Sequence, residues 1–531
     1  MKRILTIFLS ALLAASTIVS CSGTTPQTTD PVTDPVTDVS TDKEQSLTIF
    51  EADDSIMFEN GMIKNVDGDK EKIILSTEKY EASNTFDFKF SFESRSAMLG
   101  IYFDVKEDDD GSISSCKLLR LDALNGKFNL FSVEGEEQTL LGYAKYPFRT
   151  KTEYTVRLRN LYNSVSVYFG IDEMESAPII DVNCKRAAKA KIGICFNGST
   201  KASISEPEIV RSSAPSEDAR YKNPMLESVV IADPTVFFHD GTYYMFTTGS
   251  FVCRTSKDLV NWNNGSAVAD TKELYGTKYF GGPGIYERDG IFYLIYTSHQ
   301  TETSGLTTFY ATSDNVLGPY RQTGTMQEHI LQSKNSPAGS FLFNDPVTGN
   351  DILYFYRTDP GVGNVLYGIN VSVKDGRITM KDKEPTKLTE PTEAWEKKKE
   401  NGVSTPVCER PNVMYRDGYY YVFYAGSHYK TSYSEGYIVS DKPLTDFDKP
   451  KDTNPLLDAT ASITGVGCTW IVPSPDESEL FVLYHCHDSV DSFRKRRLCM
   501  DRLTFRENPD GGPDIPVIHG PTVTYQPAPS K

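Results

Sequence analysis

The stretch Asp417-Gly418-Tyr419-Tyr420-Tyr421-Val422-Phe423-Tyr424 decides the fold of the second half of the chain. An Asp-Gly pair precedes a run of aromatic residues, and the same pattern recurs at residues 240–246 and 289–296. Asp-Gly beside such a run is a strong signal for a two-residue hairpin turn, because both turn residues need a positive φ. The pattern therefore predicts antiparallel β-hairpins.

Weaker copies of this pattern at residues 350–356 and 479–484 bring the number of repeats to five. Repeats of this kind are typical of a β-propeller, in which each four-stranded sheet buries its faces against its neighbours. We therefore predict an all-β chain in which residues 213–531 form a five-bladed β-propeller.

Residues 48–212 alternate apolar and polar residues with a period of two, as in Phe86-Asp87-Phe88-Lys89-Phe90-Ser91-Phe92-Glu93. Strict alternation is typical of strands with one face in a core and one in water, so several such runs predict a β-sandwich. The order of the strands resembles the concanavalin-like jelly-roll modules that accompany many sugar-active enzymes. The resemblance implies either a glycan-binding module or one that only packs, and the sequence leaves both open.

The composition indicates a folded chain and disfavours nucleic acid and anionic lipid as partners. Of the 531 residues 39% are hydrophobic, which is too many for a disordered chain and too few for a protein with many membrane spans. The formal net charge is −17, which disfavours binding to nucleic acid or to an anionic lipid surface. The 30 Tyr and 28 Phe, against 3 Trp, suit pleated strands and agree with an all-β chain.

The N-terminus predicts an extracytoplasmic location. Residues 1–20 have a basic start and a short apolar run, as a secretory signal peptide does. Ile18-Val19-Ser20-Cys21 resembles the bacterial lipobox. This resemblance implies lipidation of Cys21 and a lipid anchor in the bacterial cell membrane or outer membrane, as the only contact with a membrane. An ordinary signal peptide with a chance cysteine is the alternative.

Residues 21–47 are rich in Thr, Pro and Asp and poor in large apolar residues, so we predict a flexible tether. The eight cysteines after Cys21 are scattered along the chain. They have neither the dense spacing of a disulfide scaffold nor the paired spacing of a zinc site. We therefore predict no essential disulfide.

Three proline-containing tripeptides lie upstream of Asp-Gly turns: Ala232-Asp233-Pro234, Gly282-Pro283-Gly284 and Glu409-Arg410-Pro411. The innermost strands of a propeller surround a funnel, so we expect polar residues at their starts to converge there. Asp233 and Glu409 would stand at corresponding points of two blades and share one hollow. Arg410 would face away, because the side chains of a strand alternate. Inverting hydrolysis of a glycosidic bond needs such a carboxyl pair, ~6.5–9.5 Å apart.

Several motifs resemble those of glycoside hydrolase family 43, in the family's order. They are residues 231–236 with 239–244 in blade one, 407–413 with 416–421 in blade four, and 496–503 with 520–522 in the closing strand. The resemblance covers about residues 220–525. It implies that Asp233 is the general base and Glu409 the general acid. It also implies a plant-type oligosaccharide or polysaccharide substrate that contains arabinose or xylose, cleaved by inversion without a cofactor.

Three positions depart from the family pattern. The family carries an acidic residue after the blade-two proline, which raises the pKa of the acid, and this chain has Gly284 there. A nearby like charge is a main way to keep a carboxylic acid protonated near neutral pH. Ala338 stands where blade three often has Asp, and Cys468 where blade five often has a His that holds an ion or water, so no metal is expected. Gly284 favours the alternative of a non-catalytic surface glycan-binding protein.

Aromatic residues near the motif-bearing turns are candidates for substrate binding. They are Phe251, Tyr279, Phe280 and Trp470, and Gly284 joins them as a residue of the same region. Aromatic faces suit the C–H surfaces of sugars, but packing in the core is the alternative for each.

His485 and His487 flank Cys486 at the end of a strand. The trio suggests a metal site, but two histidines without a further partner favour hydrogen-bonded core or rim residues.

Overall fold

The computed structural model describes residues 47–531 with short gaps, which are 52–53, 67–70, 82–83, 162, 186, 188, 198–201, 212–219, 227, 303, 330, 332–336, 401–402, 491 and 509. The predicted signal peptide, Cys21 and nearly all of the predicted tether lie outside the described residues. Within the described part of the chain, no helix has the length and apolarity needed to cross a membrane.

The first part of the described chain forms two antiparallel sheets. Its strands, in chain order, are β1 (Ile56–Glu59), β2 (Met62–Asn65), β3 (Lys72–Leu75), β4 (Tyr80–Glu81), β5 (Asn84–Phe92), β6 (Met98–Glu107), β7 (Ile113–Asp122), β8 (Lys127–Glu134), β9 (Glu137–Lys145), β10 (Glu153–Leu161), β11 (Ser164–Gly170), β12 (Ile180–Asn183), β13 (Lys189–Phe196), β14 (Ala202–Ser205) and β15 (Glu208–Arg211). One sheet has the order β1-β2-β14-β5-β10-β11-β12 with β15 also paired to β5, and the other has the order β3-β13-β6-β7-β8-β9 with β4 paired to β13.

Apolar side chains of both sheets share one core. Phe88 and Phe90 of β5 are buried there with Leu99 and Ile101 of β6, whereas Lys89 between the two phenylalanines is exposed. The alternation in the sequence therefore places one face of each sheet inwards, and the prediction of a β-sandwich is confirmed.

The rest of the chain forms further sheets and two short helical segments. Its elements, in chain order, are β16 (Arg220–Tyr221), β17 (Thr235–His239), β18 (Thr242–Phe246), β19 (Val252–Ser256), β20 (Ser266–Ala267), β21 (Gly281–Arg288), β22 (Ile291–His299), β23 (Leu306–Ser313), α1 (Met326–His329), β24 (Ala338–Asn344), β25 (Asp351–Asp359), β26 (Gly363–Lys374), β27 (Arg377–Met380), β28 (Thr386–Thr389), a 3₁₀ helix (Ala394–Glu396), β29 (Lys399–Glu400), β30 (Val403–Ser404), β31 (Cys408–Arg416), β32 (Tyr419–Gly426), β33 (Ser434–Ser440), β34 (Gly467–Pro473), β35 (Leu480–Ser489), β36 (Ser492–Arg506), β37 (Ile515–Ile518) and β38 (Gln526–Pro527).

Five of these sheets are the blades of a propeller, as far as the chain is described. Their strand orders are β17-β18-β19-β20, β21-β22-β23, β24-β25-β26-β27 with β28 on β26, β31-β32-β33 and β34-β35-β36-β37. The Asp-Gly pairs join the first two strands of blades one, two and four with positive φ at both residues, for example Asp417 at 49° and Gly418 at 89°. The prediction of an all-β chain with a five-bladed propeller is confirmed.

The ring closes through the last blade. The N–H of Met225 donates to the carbonyl of Leu498 at 2.7 Å, and the N–H of Ile231 donates to the carbonyl of Arg496 at 2.9 Å. β36 of blade five therefore holds the segment that leads into blade one. This pairing brings Arg496 beside Asp233, which lies two residues after Ile231.

The sandwich and the propeller belong to one compact unit, residues 47–531. The hydroxyl of Tyr143 in the sandwich donates to Asp458 Oδ2 at 2.8 Å, and Arg506 Nε donates to Glu175 Oε1 at 2.6 Å. The buried Asp181 accepts the N–H of Val523 at 2.8 Å. These contacts fix the sandwich against blades four and five.

Candidate active site

Each blade carries a residue with left-handed backbone geometry at the same place near the start of its innermost strand. These residues are Asp233 (φ 51°), Gly282 (57°), Gly339 (57°), Arg410 (57°) and Cys468 (57°). In blades two to five the pairing register between the first two strands shifts at this point, which defines a β-bulge. The five positions are therefore structurally equivalent around the funnel.

Glu409 precedes the equivalent residue of its blade, Arg410, by one position. Asp233 and Glu409 thus do not stand at corresponding points, as the sequence predicted, but one residue apart. Both nevertheless line the same cavity. The bulge explains this result, because it breaks the strict alternation of side chains along the strand.

A cavity of about 260 Å³ lies among the starts of the innermost strands. Its charged lining consists of Asp233, Glu409, Arg410 and Arg496, and four tyrosines complete most of the wall: Tyr279, Tyr356, Tyr429 and Tyr433. Its volume is just below the ~300–1,000 Å³ of sites that take drug-sized ligands.

Asp233 is buried, and two side chains hold its carboxylate. Thr248 Oγ1 donates a hydrogen bond to Oδ2 at 2.5 Å and in turn accepts the N–H of Gly282 at 3.0 Å, while Arg496 Nη1 lies 3.4 Å from Oδ1. Burial by itself raises the pKa of Asp233. The charge of Arg496, the adjacent His485, the charge of Arg410 and the hydrogen bond from Thr248 outweigh it and hold this pKa well below its usual range. Asp233 is therefore ionised.

Glu409 is equally buried, but its carboxyl group is shifted in the opposite direction. The hydroxyl of Tyr433 donates to Oε1, and Asn364 Nδ2 donates to Oε2 at 3.1 Å. Burial raises the pKa of Glu409 to about 7, and the negative charge of Asp233 acts in the same direction, against the two hydrogen bonds. Glu409 therefore keeps its proton up to near-neutral pH.

The two carboxyl groups form a complementary pair. At pH 6 Asp233 can accept a proton and Glu409 can give one, which is the division of roles that acid–base catalysis requires. Among the described residues that line the cavity there is no third carboxyl group. The raised pKa of Glu409 thus depends on burial and on Asp233, and needs no further acidic neighbour.

Arg410 faces the cavity, although the sequence predicted that it faces away. Its left-handed backbone rotates the side chain out of the alternating pattern. Arg410 Nη2 donates to Thr235 Oγ1 at 3.3 Å and to the carbonyl of Pro283 at 3.4 Å. The Arg410 side chain passes between Gly282 and Gly339, which have no side chains of their own. A Cβ atom added to Gly282 would lie 3.0 Å from Arg410 Nη1, and one added to Gly339 would lie 3.1 Å from Arg410 Cδ.

His485 is a buried, hydrogen-bonded residue beneath Asp233. Its Nδ1 accepts the N–H of Asp233 at 3.2 Å, and burial together with the charge of Arg496 lowers the pKa of His485 to about 3. The ring is therefore neutral. His487 contacts Thr464 Oγ1 at 3.0 Å through Nδ1 and the carbonyl of Tyr429 at 2.9 Å through Nε2.

Within the described residues, Asp233, Cys468 and His485 each place one possible ligand atom within 4.8 Å of the others. Burial raises the pKa of the Cys468 thiol well above its usual value, so this sulfur stays protonated. A protonated thiol is a poor metal ligand. The trio does not fit a tightly held ion, and we derive no step through a metal.

Of the predicted substrate-binding residues, Tyr279 lines the cavity and is 49% exposed. Phe251 is fully buried in a core against Phe280, with the two ring centroids 6.3 Å apart. Trp470 packs edge to face on Phe341 at 5.2 Å. Phe251 and Trp470 are buried in cores, and Phe280 is half-buried against the core of Phe251, so none of the three lines the cavity.

Gly284 does not line the cavity either. A Cβ atom at this position would lie 3.1 Å from the carbonyl oxygen of Ser340, on the side of blade three. The cavity-lining glycine of blade two is Gly282, two residues earlier. An acidic side chain at position 284 would therefore point at the backbone of β24 and not at Glu409.

Several residues of the site had no recognisable signal in the sequence. Tyr433, Asn364 and Thr248 lie outside the quoted motifs, and their contacts to Glu409 and Asp233 come from other strands and loops. Arg496 lies inside the closing-strand motif, so its position was visible. Its contact with Asp233 could not be predicted, because this contact forms only when the last blade pairs with the segment before blade one.

The funnel of this five-bladed propeller holds one ionised and one protonated carboxyl group, a pair of the kind that glycoside hydrolases use. The sequence model of "Glycosyl hydrolases family 43" matches residues 221–512, which is more than half of the chain. The chain belongs to this family, and the resemblance noted in its motifs is confirmed.

Individual relatives agree with this assignment. The chain is 32% identical over 112 residues to a β-D-galactofuranosidase (xynD) of Aspergillus niger, covering 20% of this chain and 31% of that protein. It is 24% identical over 268 residues to the extracellular endo-α-(1→5)-L-arabinanase 2 of Bacillus subtilis, covering 45% and 53%. The chain thus spans between about a third and a half of the length of these relatives. A solved thermostable family-43 glycoside hydrolase is 27% identical with a TM-score of 0.52, covering 59% of this chain and 99% of that one.

Proposed function

We propose that the protein hydrolyses glycosidic bonds of plant-type oligosaccharides or polysaccharides with inversion at the anomeric carbon. The observation that carries the proposal is the opposite shift of two carboxyl groups in one cavity, with Asp233 ionised and Glu409 protonated up to about pH 7. Such divergent pairs mark the acid and the base of a reaction.

In the proposed reaction a water molecule attacks the anomeric carbon while Asp233 takes one of its protons. Glu409 gives its proton to the departing oxygen as the bond between that oxygen and the anomeric carbon breaks. Asp233 ends protonated and Glu409 ionised, and exchange with solvent restores both. The hydrogen bond from Tyr433 favours the carboxylate of Glu409 that forms as the proton leaves.

The substrate class rests on the relatives. Their names specify a galactofuranosidase and an arabinanase, and the family resemblance of the motifs implies arabinose- or xylose-containing chains. We therefore propose arabinose- or xylose-containing plant polysaccharides or their fragments as substrates.

The test is turnover of chromogenic arabinofuranosides, xylosides and galactosides by Asp233→Asn and Glu409→Gln, with ¹H NMR of the first product to read its anomeric configuration. We expect the wild type to cleave at least one substrate with inversion. The turnover rate of each variant should be about 10²–10⁴-fold lower than that of the wild type. Asp240→Asn in the exposed β17–β18 turn and Glu136→Gln on the sandwich surface are matched controls that keep the rate. Unchanged turnover in either cavity variant removes that residue from the mechanism.

One observation favours the second candidate, a non-catalytic glycan-binding protein. The cavity-lining residues Gly282 and Gly339 of blades two and three carry no side chain, so Asp233 and Glu409 are the only carboxyl groups among the described residues that line the cavity. Binding of arabinan or xylan fragments without release of reducing sugar, in the wild type and in both cavity variants alike, would establish this alternative.

For the N-terminal part we propose a lipoprotein that is anchored through Cys21 on the extracytoplasmic side of a bacterial membrane, with residues 21–47 as a tether. Residues 48–212 would be a jelly-roll module, and residues 213–531 the catalytic domain. The motif around Cys21 and the alternating strands support this division. Labelling with a radioactive fatty acid in a bacterial host should mark the wild type and not Cys21→Ala.

A further inference from the structure

The two arginines of the cavity differ in how their charges are balanced. Arg496 Nη1 lies 3.4 Å from Asp233 Oδ1 and forms an ion pair with it. For Arg410, no described residue places a carboxylate oxygen within 4.0 Å of the guanidinium nitrogens, and its hydrogen-bond acceptors are the neutral oxygens of Thr235 and Pro283. Arg410 is nevertheless only 9% exposed.

A buried charge without an ionic partner is unfavourable unless hydrogen bonds and a counter-ion compensate for it. The two long hydrogen bonds of Arg410 Nη2 satisfy one edge of the guanidinium. They hold the group between Gly282 and Gly339, where a side chain would collide with it. The absence of side chains at these positions leaves the arginine at the wall of the cavity, next to the space that the sugar would fill.

The charge of the cavity is opposite in sign to the net charge of the whole protein. The chain carries a formal net charge of −17, yet the cavity holds two arginines against one ionised carboxylate while Glu409 is protonated. A surplus of one positive charge among buried side chains attracts an anion, since charges interact more strongly there than in water.

Resting on the proposed function, we propose that the cavity takes a sugar unit that bears a carboxylate, a uronosyl residue, and that Arg410 pairs with this carboxylate. A guanidinium presents parallel N–H donors that match the two oxygens of a carboxylate. The substrate is then an acidic branch or segment of an arabinose- or xylose-containing polysaccharide. Arg410 sets the specificity, and Asp233 and Glu409 keep their roles.

Calorimetric binding of D-glucuronate and D-galacturonate, with D-glucose and D-galactose as matched neutral probes, tests the proposal at pH 6 on the full-length chain. None of these probes is hydrolysed, so the result does not depend on turnover. A charge-assisted hydrogen bond contributes about 1.5–3 kcal/mol, which corresponds to about ten- to a hundredfold in affinity. We expect at least one uronate to bind about tenfold more tightly than its neutral counterpart.

Arg410→Met should abolish this preference. Arg410→Lys should keep part of it, because the lysine keeps the positive charge but lacks the two parallel N–H donors of the guanidinium. Thermal unfolding checks that each variant is folded. If Arg410→Met does not fold, the comparison of uronate with neutral sugar on the wild type still decides the question.

Equal affinity for charged and neutral sugars, or a uronate preference that survives in Arg410→Met, would overturn the proposal. Inorganic sulfate is a further probe. If sulfate binds through Arg410 and the uronates do not, the anion is a sulfate ester and the carboxylate assignment is wrong. If the uronates bind through Arg410 while Asp233→Asn and Glu409→Gln keep full turnover, this inference stands and the proposed catalytic pair fails.

Discussion

Arg496 Nη1 lies 3.4 Å from Oδ1 of Asp233, although the two residues are 263 positions apart in the chain. The contact exists because β36 of the last blade pairs with the segment before β17, where the N–H of Ile231 donates to the carbonyl of Arg496 at 2.9 Å. The low pKa of the proposed base therefore depends in part on the closure of the propeller.

Replacing Arg496 should raise the pH at which the proposed base becomes ionised. In Arg496→Met the charge that lowers the pKa of Asp233 is lost, so this pKa should rise and the acidic limb of the kcat/KM profile should move to higher pH. Arg496→Lys should restore part of the shift. A profile of Arg496→Met with an unchanged acidic limb would show that Asp233 does not depend on this ion pair.

The pH profile of the wild type should fall on its alkaline side near pH 7. The proposed acid acts only while protonated, and burial raises the pKa of Glu409 to about 7. The hydrogen bond from Tyr433 lowers this pKa, so Tyr433→Phe should move the alkaline limb to higher pH. A limb that stays in place or moves to lower pH in Tyr433→Phe would contradict this account of Glu409.

Gly339 should not tolerate a side chain. With φ at 57°, a Cβ atom there would lie 2.7 Å from Tyr356 Cε1 and 3.1 Å from Arg410 Cδ. Gly361→Ala is the matched control, since Gly361 also has a positive φ of 78° but no atom within 4 Å of the added Cβ. In chemical denaturation Gly339→Ala should lose about 1–3 kcal/mol more than Gly361→Ala, and it alone should lose activity. Equal losses would mean that only backbone strain matters.

Glu435 should make the fold more stable in acid than in mild base. It is fully buried on β33, accepts a hydrogen bond from Thr469 Oγ1 at 2.7 Å, and burial raises its pKa to about 8 from an ordinary value of 4.5. A carboxyl group with a raised folded-state pKa contributes stability that is complete below the unfolded pKa and is lost as the pH rises through the folded value.

Glu435→Gln should therefore raise the Tm by about 2 °C or more at pH 8 and change it little at pH 4.5. Scanning calorimetry at the two pH values measures the difference, with Glu136→Gln on the exposed sandwich surface as the control. The same shift at both pH values would assign the effect to packing and not to titration.

The fold was predictable because its signals are local. Asp-Gly turns at Asp240, Asp289 and Asp417 specify hairpins through two adjacent residues each, and the phenylalanine alternation of β5 specifies a sheet with one buried face. Asp233 and Glu409 were predictable as candidates because they lie beside these turns. Their placement in one cavity follows from the order of the blades.

The rest of the site depends on contacts that no short stretch encodes. Arg410 faces the cavity because a left-handed residue and a bulge interrupt the alternation on which the prediction rested. Phe251 and Trp470 lie near the site in the sequence, but both side chains are buried in cores. Tyr433 reaches Glu409 from the segment just before β33, a contact that only the packing of blade four reveals.

The central claim is that Glu409 gives the proton and Asp233 takes one, and the leaving-group dependence of Glu409→Gln tests it most directly. An activated aryl glycoside such as a dinitrophenyl derivative needs no proton on its departing oxygen, whereas an alkyl glycoside or a natural disaccharide does. We predict that kcat/KM of Glu409→Gln stays close to the wild-type value for the activated substrate and falls about 10²–10⁴-fold for the other. A similar loss on both substrates, or no loss on either, would contradict the assignment of Glu409 as the acid.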